Sequence, residues 1–162
     1  MKKIFVFIVV VFAFFVKMSA QEISPHTIGI RIGDSDGFNT EITYQRKLGY
    51  TNRLEADLGF NSSTYYNAWK LTGLYQWVWN IDKGFNWYVG AGAGIGSWHT
   101  KNNYKTDNNA MFVNATGDIG IEYNFEIPLL ISLDFRPEIG LVNNFGNNDL
   151  GLDIALGLRY QF

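Results

Sequence analysis

Two histidines, His26 and His99, are the only side chains of this chain whose ordinary chemistry suits a general base near neutral pH. Ser97 lies two residues before His99, and Asp107 is the nearest acid in the polar stretch that follows. These types could supply the nucleophile, base and orienting acid of a hydrolase, but such a triad is defined by geometry. The sequence therefore predicts no catalytic residue and no cofactor. Isolated histidines without any cysteine also predict no metal site.

A larger chemical feature is a set of charged residues that alternate with apolar ones. They would share one face of their strands, and they comprise eight acids and five bases. The acids are Glu41, Glu55, Asp57, Asp118, Glu122, Asp134, Glu138 and Asp153, and the bases are Arg31, Lys47, Lys70, Arg136 and Arg159. Enclosed charges must pair, because an isolated buried charge is strongly unfavourable. We expect an interior network of ion pairs and hydrogen bonds with the three arginines as bidentate anchors. Glycines at 90, 92, 94 and 96 would leave one wall bare to make room for them.

The elements that must position these charges show a period of two, which predicts β-strands. We predict eight strands, at residues 27–33, 40–48, 53–61, 68–80, 87–98, 112–125, 129–141 and 150–162. The connections alternate between short ones and longer polar ones. The short ones are 49–52, 81–86 and 126–128, and the others are 34–38, 61–67, 99–111 and 142–149, of which only the first is small. This pattern favours an all-β, antiparallel, up-and-down barrel of eight strands that spans a membrane. Within such a barrel Pro137 removes a ladder donor, so we expect it at a bulge or at the strand's outer end.

The positions of the aromatic residues distinguish a membrane barrel from a secreted eight-stranded barrel. Trp77, Trp79 and Trp87 gather at one end of the strands, while Trp98 and Phe112 fall at the other, with Phe60 and Trp69. Two aromatic belts at the interfaces are typical of membrane proteins. A secreted, lipocalin-like binding barrel is the alternative, with its apolar face turned inward around a ligand. The belts favour the membrane barrel, with the charged face inside.

Both ends of the chain indicate export. Lys2 and Lys3 precede an apolar run at 4–16, and small residues up to Ala20 follow, which predicts a signal peptide over residues 1–20. The barrel domain would then occupy residues 21–162. The last strand carries Leu156, Leu158, Tyr160 and Phe162 on one face and ends on the aromatic, as a lipid-facing strand does.

These features resemble small Gram-negative outer-membrane β-barrel proteins of the OmpX and OmpA transmembrane-domain kind. Gly157, Tyr160 and Phe162 match the C-terminal assembly signal of such proteins, and the resemblance extends over residues 21–162. The run IPLLISLDFRP at 127–137 is similar to their penultimate strand, and WYVGAGAG at 87–94 to their glycine-rich strand. The resemblance covers the barrel alone, so we expect no peptidoglycan-binding domain of the full OmpA type.

The resemblance implies a place and partners more than an activity. It implies the cell outer membrane, contact with its lipid and lipopolysaccharide, and periplasmic chaperones and the barrel-assembly machinery during biogenesis. We expect a monomeric, non-enzymatic protein with an envelope-structural or surface-interaction role through its outer loops. A lipid A-modifying enzyme and a narrow pore are the alternatives. The His-x-Ser-Asn signature of the deacylase family is absent, because Thr100, Lys101 and Asn102 follow His99. A net charge of −2 with no basic run beyond the signal argues against nucleic acid as a partner.

Overall fold

The computed structural model describes residues 23–35, 38–64, 66–100, 109–143 and 150–162. Eight strands follow one another along the chain. They are β1 (His26–Ser35), β2 (Phe38–Lys47), β3 (Asn52–Ser62), β4 (Tyr66–Asp82), β5 (Phe85–Thr100), β6 (Asn109–Asn124), β7 (Leu129–Asn143) and β8 (Leu150–Gln161). The predicted signal peptide, residues 1–20, lies outside the described residues.

The strands form one closed antiparallel barrel in which every strand pairs with its neighbours in sequence. β8 pairs with β1 to close it, with Ile30 opposite Leu158. The prediction of an eight-stranded up-and-down barrel is therefore confirmed. Short turns at 48–51, 83–84 and 125–128 lie at the end that also holds His26 and Phe162, here called the terminal end. The strand ends that flank positions 36–37, 63–65, 101–108 and 144–149 are at the opposite end, here called the loop end.

The two faces of the barrel differ sharply in polarity. Apolar side chains point outward and stay exposed, among them Ile154 at 63% and Leu152 at 59%. Charged and polar side chains point inward and are buried, among them Arg31, Glu41 and Asp57. This is the polarity of a barrel solvated by lipid, and the reverse of a lipocalin. Within the described ranges, the protein holds no helix long and apolar enough to cross a membrane.

Two local predictions were wrong. Phe38 was expected in a loop, yet it belongs to β2 and is only 1% exposed. The pairing of β1 with β2 shifts register between Ile32 and Ser35. In β2 the alternation of buried and exposed residues also breaks after Phe38, because the next two residues are both exposed. The ring of Phe38 therefore lies inside the barrel.

Pro137 was expected at a bulge or a strand end. It instead lies within β7, opposite Leu152, and the register with β6 is the same on both sides of it. Gly117 leaves space for the proline ring, because a Cβ there would make a tight contact of 3.2 Å with Cγ of Pro137.

Candidate functional site: the lumen of the barrel

Arg136 on β7 is the centre of the lumen's charge network. Its Nη2 donates to Oε1 of Glu55 at 2.9 Å, and its Nη1 donates to Oδ2 of Asp57 at 2.8 Å. Arg159 reaches Glu55 from β8, with 3.3 Å between Nη2 and Oε2, and also donates to Ser132 and Thr43. These side chains come from strands on opposite sides of the barrel, so the network ties the wall together across the lumen.

Arg31 forms a second centre of the network. Its guanidinium lies 3.0 Å from Oε2 of Glu41, 2.5 Å from Oδ1 of Asp134 and 2.6 Å from Oδ2 of Asp153. Glu41 also lies 3.6 Å from Arg136, which connects the two centres. One arginine thus serves carboxylates from β2, β7 and β8.

The remaining predicted members lie on the walls around these centres. Nζ of Lys70 pairs with Glu138 at 2.6 Å, and Asp118 accepts a hydrogen bond from Gln76 at 2.5 Å. Of the thirteen charged residues predicted inside, all but Lys47 are buried in the lumen. The twelve are Arg31, Glu41, Glu55, Asp57, Lys70, Asp118, Glu122, Asp134, Arg136, Glu138, Asp153 and Arg159.

Arg53 also belongs to the network, although it was not predicted from the sequence. Its Nη1 lies 2.8 Å from Oε2 of Glu122, and its guanidinium lies 4.8 Å from the ring centre of Tyr88. Lys47, which was predicted to lie inside, is half-buried at the end of β2. Arg53 lies two residues before Glu55, so the period of two places both side chains on the inner face. Arg53 was not assigned there because it lies at the end of the predicted strand.

The side chains nearest to the glycine wall of β5 are not arginines. Gln76 is the nearest side chain over Gly90, Asn114 lies over Gly94, and the ring of Phe112 lies over Gly96. The arginines cross the lumen from other strands. Arg159 does use a glycine, but that glycine is Gly157 on its own strand.

An apolar cluster fills the lumen near the terminal end. Ile23, Val78 and Tyr88 are all buried and pack together. Ile23 precedes β1, so the segment before the first strand contributes a side chain to this cluster. Tyr88 also lies against Gly120, where an added Cβ would meet the phenol at 2.5 Å. This group is called the terminal plug below.

Aromatic rings fill the lumen at the loop end. Trp98 lies on the inner face of β5, between the buried residues Ala68 and Ala110 of the flanking strands. Its ring centre is 5.1 Å from that of Tyr66, 5.5 Å from that of Phe38 and 6.3 Å from that of Phe112. These four residues are called the aromatic cap below. The expectation that Trp98 and Phe112 belong to an outward belt is wrong.

The residues considered for catalysis do not converge in the described part of the chain. Nδ1 of His26 lies 2.7 Å from the hydroxyl of Tyr44 at the terminal end. His99 lies at the far end of β5, exposed and opposite Asn67 and Asn109. Asp107 lies outside the described residues. Among the described residues, no group of three or more His, Asp or Glu side chains is arranged to hold a metal ion.

The three residues of the predicted assembly signal lie on both faces of β8. Gly157 is buried on the inner face, while Tyr160 and Phe162 are exposed on the outer face with 6.2 Å between their ring centres. Phe162 exchanges two backbone hydrogen bonds with His26, at 2.9 and 3.1 Å. The C-terminal residue thus completes the seam that closes the barrel.

A closed eight-stranded barrel with an apolar outer face and a charged, filled lumen has the fold of small outer-membrane β-barrel proteins. Solved structures bear this out. The N-terminal barrel domain of Pseudomonas aeruginosa OprF has a TM-score of 0.66 and 14% identity, covering 86% of this chain and 100% of that one. The Neisserial surface protein A, NspA, has a TM-score of 0.62 and 11% identity, covering 85% and 94%. Ail, the attachment invasion locus protein of Yersinia pestis, has a TM-score of 0.56 and 15% identity, covering 86% and 97%.

The likeness lies in the fold and not in close sequence similarity. No protein-family model matches the chain, and no curated protein sequence matches it significantly.

Proposed function

We propose that the chain is a non-enzymatic outer-membrane protein that holds its polar loops at the cell surface and contributes to envelope integrity or surface interaction. The observation that carries this proposal is the filled lumen. A charge network occupies its middle, the aromatic cap lies at the loop end, and the terminal plug lies at the other end. A barrel of eight strands is just wide enough for side chains to fill it, so we infer that no aqueous path runs through this lumen.

The outer face supports a location in the bilayer. A continuous apolar wall would cost free energy in water, and lipid removes that cost. In the proposed orientation the terminal end faces the periplasm and the loop end faces the outside. The predicted signal peptide would deliver the chain for export. Outer-membrane lipid, lipopolysaccharide, periplasmic chaperones and the barrel-assembly machinery are the partners that this location implies, and the barrel would act as a monomer.

A surface-interaction role fits this orientation, since the four connections at the loop end would meet the surroundings of the cell. Ail, which shares the fold, has been solved in complex with the heparin analogue sucrose octasulfate. A small barrel of this fold can therefore bind a ligand. For the present chain we assign the interaction to the loop end without a specific ligand.

Two measurements test the proposal against a pore and an enzyme. The purified barrel in planar bilayers should show no stable single-channel conductance, and reproducible unitary steps would establish the pore. Lipid A mass spectra should be identical in wild type, a deletion strain and a His99→Ala strain. A lipid A species lost in both mutants would establish the enzyme and refute the proposal. Density-gradient fractionation should recover the protein with the outer membrane.

A further inference from the structure

The chain crosses the mouth of the barrel at the terminal end before it enters β1. Ile23 precedes that strand and is only 6% exposed, because it packs with Val78 of β4 and Tyr88 of β5 in the terminal plug. Val78 and Tyr88 lie directly opposite each other near the terminal ends of their strands. In the barrel β5 is four strands away from β1 in either direction. Ile23 therefore contacts the wall opposite the one that its own segment joins.

Pro25 explains why the chain leaves the wall at this point. Its carbonyl accepts a hydrogen bond from the backbone N–H of Lys47 at 3.0 Å, which continues the pairing of β1 with β2 by one residue. Proline has no N–H to donate in return, so the ladder ends there. The residue before a proline is restricted to extended backbone. Ser24 therefore extends the chain from the wall, and Ile23 reaches into the mouth.

The segment of Ile23, Ser24 and Pro25 is held more weakly than the strand that follows it. Among the backbone hydrogen bonds outside the strands of the described residues, a single one reaches the segment, from Lys47 to Pro25. By contrast, β1 is paired with both β2 and β8. Elements with few hydrogen bonds and few apolar contacts open at a lower free energy than the paired strands beside them. The segment can therefore leave the mouth while the wall stays closed.

A polar layer lies behind the terminal plug. Arg53 on β3 is opposite Gln76, which is two residues deeper on β4 than Val78. The guanidinium of Arg53 lies 4.8 Å from the ring centre of Tyr88, and its Nη1 lies 2.8 Å from Oε2 of Glu122. Beyond this ion pair the charge network fills the middle of the lumen. Movement of Ile23 would thus uncover a shallow vestibule and not a channel through the barrel.

We propose that Ile23, Ser24 and Pro25 form a lid over the terminal mouth, which opens while the barrel stays folded and admits small solutes to the vestibule between Val78 and Arg53. The lid goes beyond the proposed function, since its motion requires neither a particular surface ligand nor a particular activity. In the proposed orientation the vestibule faces the periplasm. The charge network and the aromatic cap stay closed behind it.

Cysteine labelling tests the lid, because the chain contains no cysteine of its own. Val78→Cys places a small apolar thiol under Ile23. The full chain carrying this substitution is expressed, and the protein is purified from outer membranes in detergent micelles. The reagent is trimethylammonioethyl methanethiosulfonate, whose fixed charge keeps it out of the micelle, and mass spectrometry measures the rate of labelling. Heat-modifiable migration on gels confirms that each variant is folded.

Two substitutions in the lid make a matched pair. Adding Ile23→Ala to Val78→Cys should raise the labelling rate by about tenfold or more, because truncation of a buried isoleucine favours the open state. Adding Ser24→Ala should leave the rate unchanged, since Ser24 is half-buried in the same segment but does not belong to the terminal plug. Equal rates with and without Ile23→Ala would overturn the lid.

A second cysteine position distinguishes opening of the lid from loosening of the barrel. Thr72 lies on the same face of β4 as Val78, six residues nearer the loop end, and is 0% exposed. The Thr72→Cys protein should react only as fast as the barrel unfolds, and Ile23→Ala should not change its rate. The Val78→Cys protein should react much faster than unfolding. Faster labelling at both positions, or labelling of Val78→Cys only at the unfolding rate, would overturn the lid.

Amide hydrogen exchange of the wild-type protein gives an answer even if a variant fails to fold. The Lys47 amide donates to Pro25 of the lid, whereas the Val78 amide donates to Thr51 in the turn at the same end. Exchange at Lys47 should be clearly faster, and equal protection of the two amides would contradict the lid. Conductance in planar bilayers tests the filled lumen separately, because a lid that opens only on the vestibule passes no current.

Discussion

The guanidinium of Arg159 lies over Gly157, two residues earlier on the same face of β8. A Cβ added at Gly157 would overlap Nη1 of Arg159 and Oγ of Ser132, which share a hydrogen bond of 2.6 Å. Arg159 also reaches Glu55 from this position. The glycine of the predicted assembly signal thus has a structural use inside the barrel, separate from any recognition of the terminus.

Gly157→Ala should destabilise the folded barrel by about 1–3 kcal/mol, because the methyl group overpacks the lumen and displaces the arginine. The measurement is the free energy of unfolding from urea titrations in lipid vesicles. Gly73→Ala is the control, since apart from Gly73 and its two chain neighbours no described residue has an atom within 4 Å of the position its Cβ would take. It should unfold like wild type, and an equal loss in both variants would point to a general effect of alanine in strands.

Phe162 offers a way to separate folding from recognition. Its two hydrogen bonds to His26 are made by backbone atoms, so a substitution of the side chain leaves them in place. Its exposed ring stacks on the ring of His26, with 5.6 Å between ring centres. Phe162→Asp should fold in vitro nearly as well as wild type but reach the outer membrane in clearly lower amounts. Phe162→Tyr, which keeps the ring, should assemble normally.

Deletion of Phe162 tests the seam itself. It removes two backbone hydrogen bonds, each worth about 0.5–1.5 kcal/mol. The truncated chain should therefore also unfold at lower urea concentration in vitro. Unchanged yield in cells for both the deletion and Phe162→Asp would show that the terminal aromatic is no assembly signal.

The proposed orientation predicts which connections can be reached from outside the cell. An epitope tag inserted at Asn103, between β5 and β6, should bind antibody on intact cells. A tag at Asp82, beside the turn at 83–84, should bind only after the outer membrane is opened. The opposite pattern would invert the topology, and both tags should leave heat-modifiable migration on gels intact.

Alternation along the strands was sufficient to predict the barrel and its charged inner face, because a period of two assigns each side chain to one face. It failed where the backbone departs from that period. Phe38 lies beside a register shift, so its inward position could not be read from its neighbours. Trp98 follows the period of two, which places it on the inner face of β5. It was nevertheless assigned to an aromatic belt because tryptophan is common at membrane interfaces.

The contacts across the lumen could not be predicted, because they depend on how strands on opposite walls face one another. Arg136 reaches Glu55 and Asp57, about eighty residues earlier in the chain. Pro137 illustrates a different limit. Its ring faces Gly117 on the neighbouring strand β6, where a side chain would make a tight contact, and only the register between β6 and β7 reveals this relationship.

Arg136→Ala should be the most damaging substitution in the lumen. Glu55 and Asp57 are each no more than 2% exposed, and both lose their contact with Arg136. Removing one partner of a buried ion pair costs about 3–5 kcal/mol, because the remaining charge stays desolvated. Arg46→Ala, which changes an exposed arginine on β2, is the control and should cost little. Urea titrations in vesicles measure both. If Arg136→Ala unfolds like wild type, water must solvate Glu55 and Asp57, and a hydrated lumen would then favour the pore over the filled barrel proposed here.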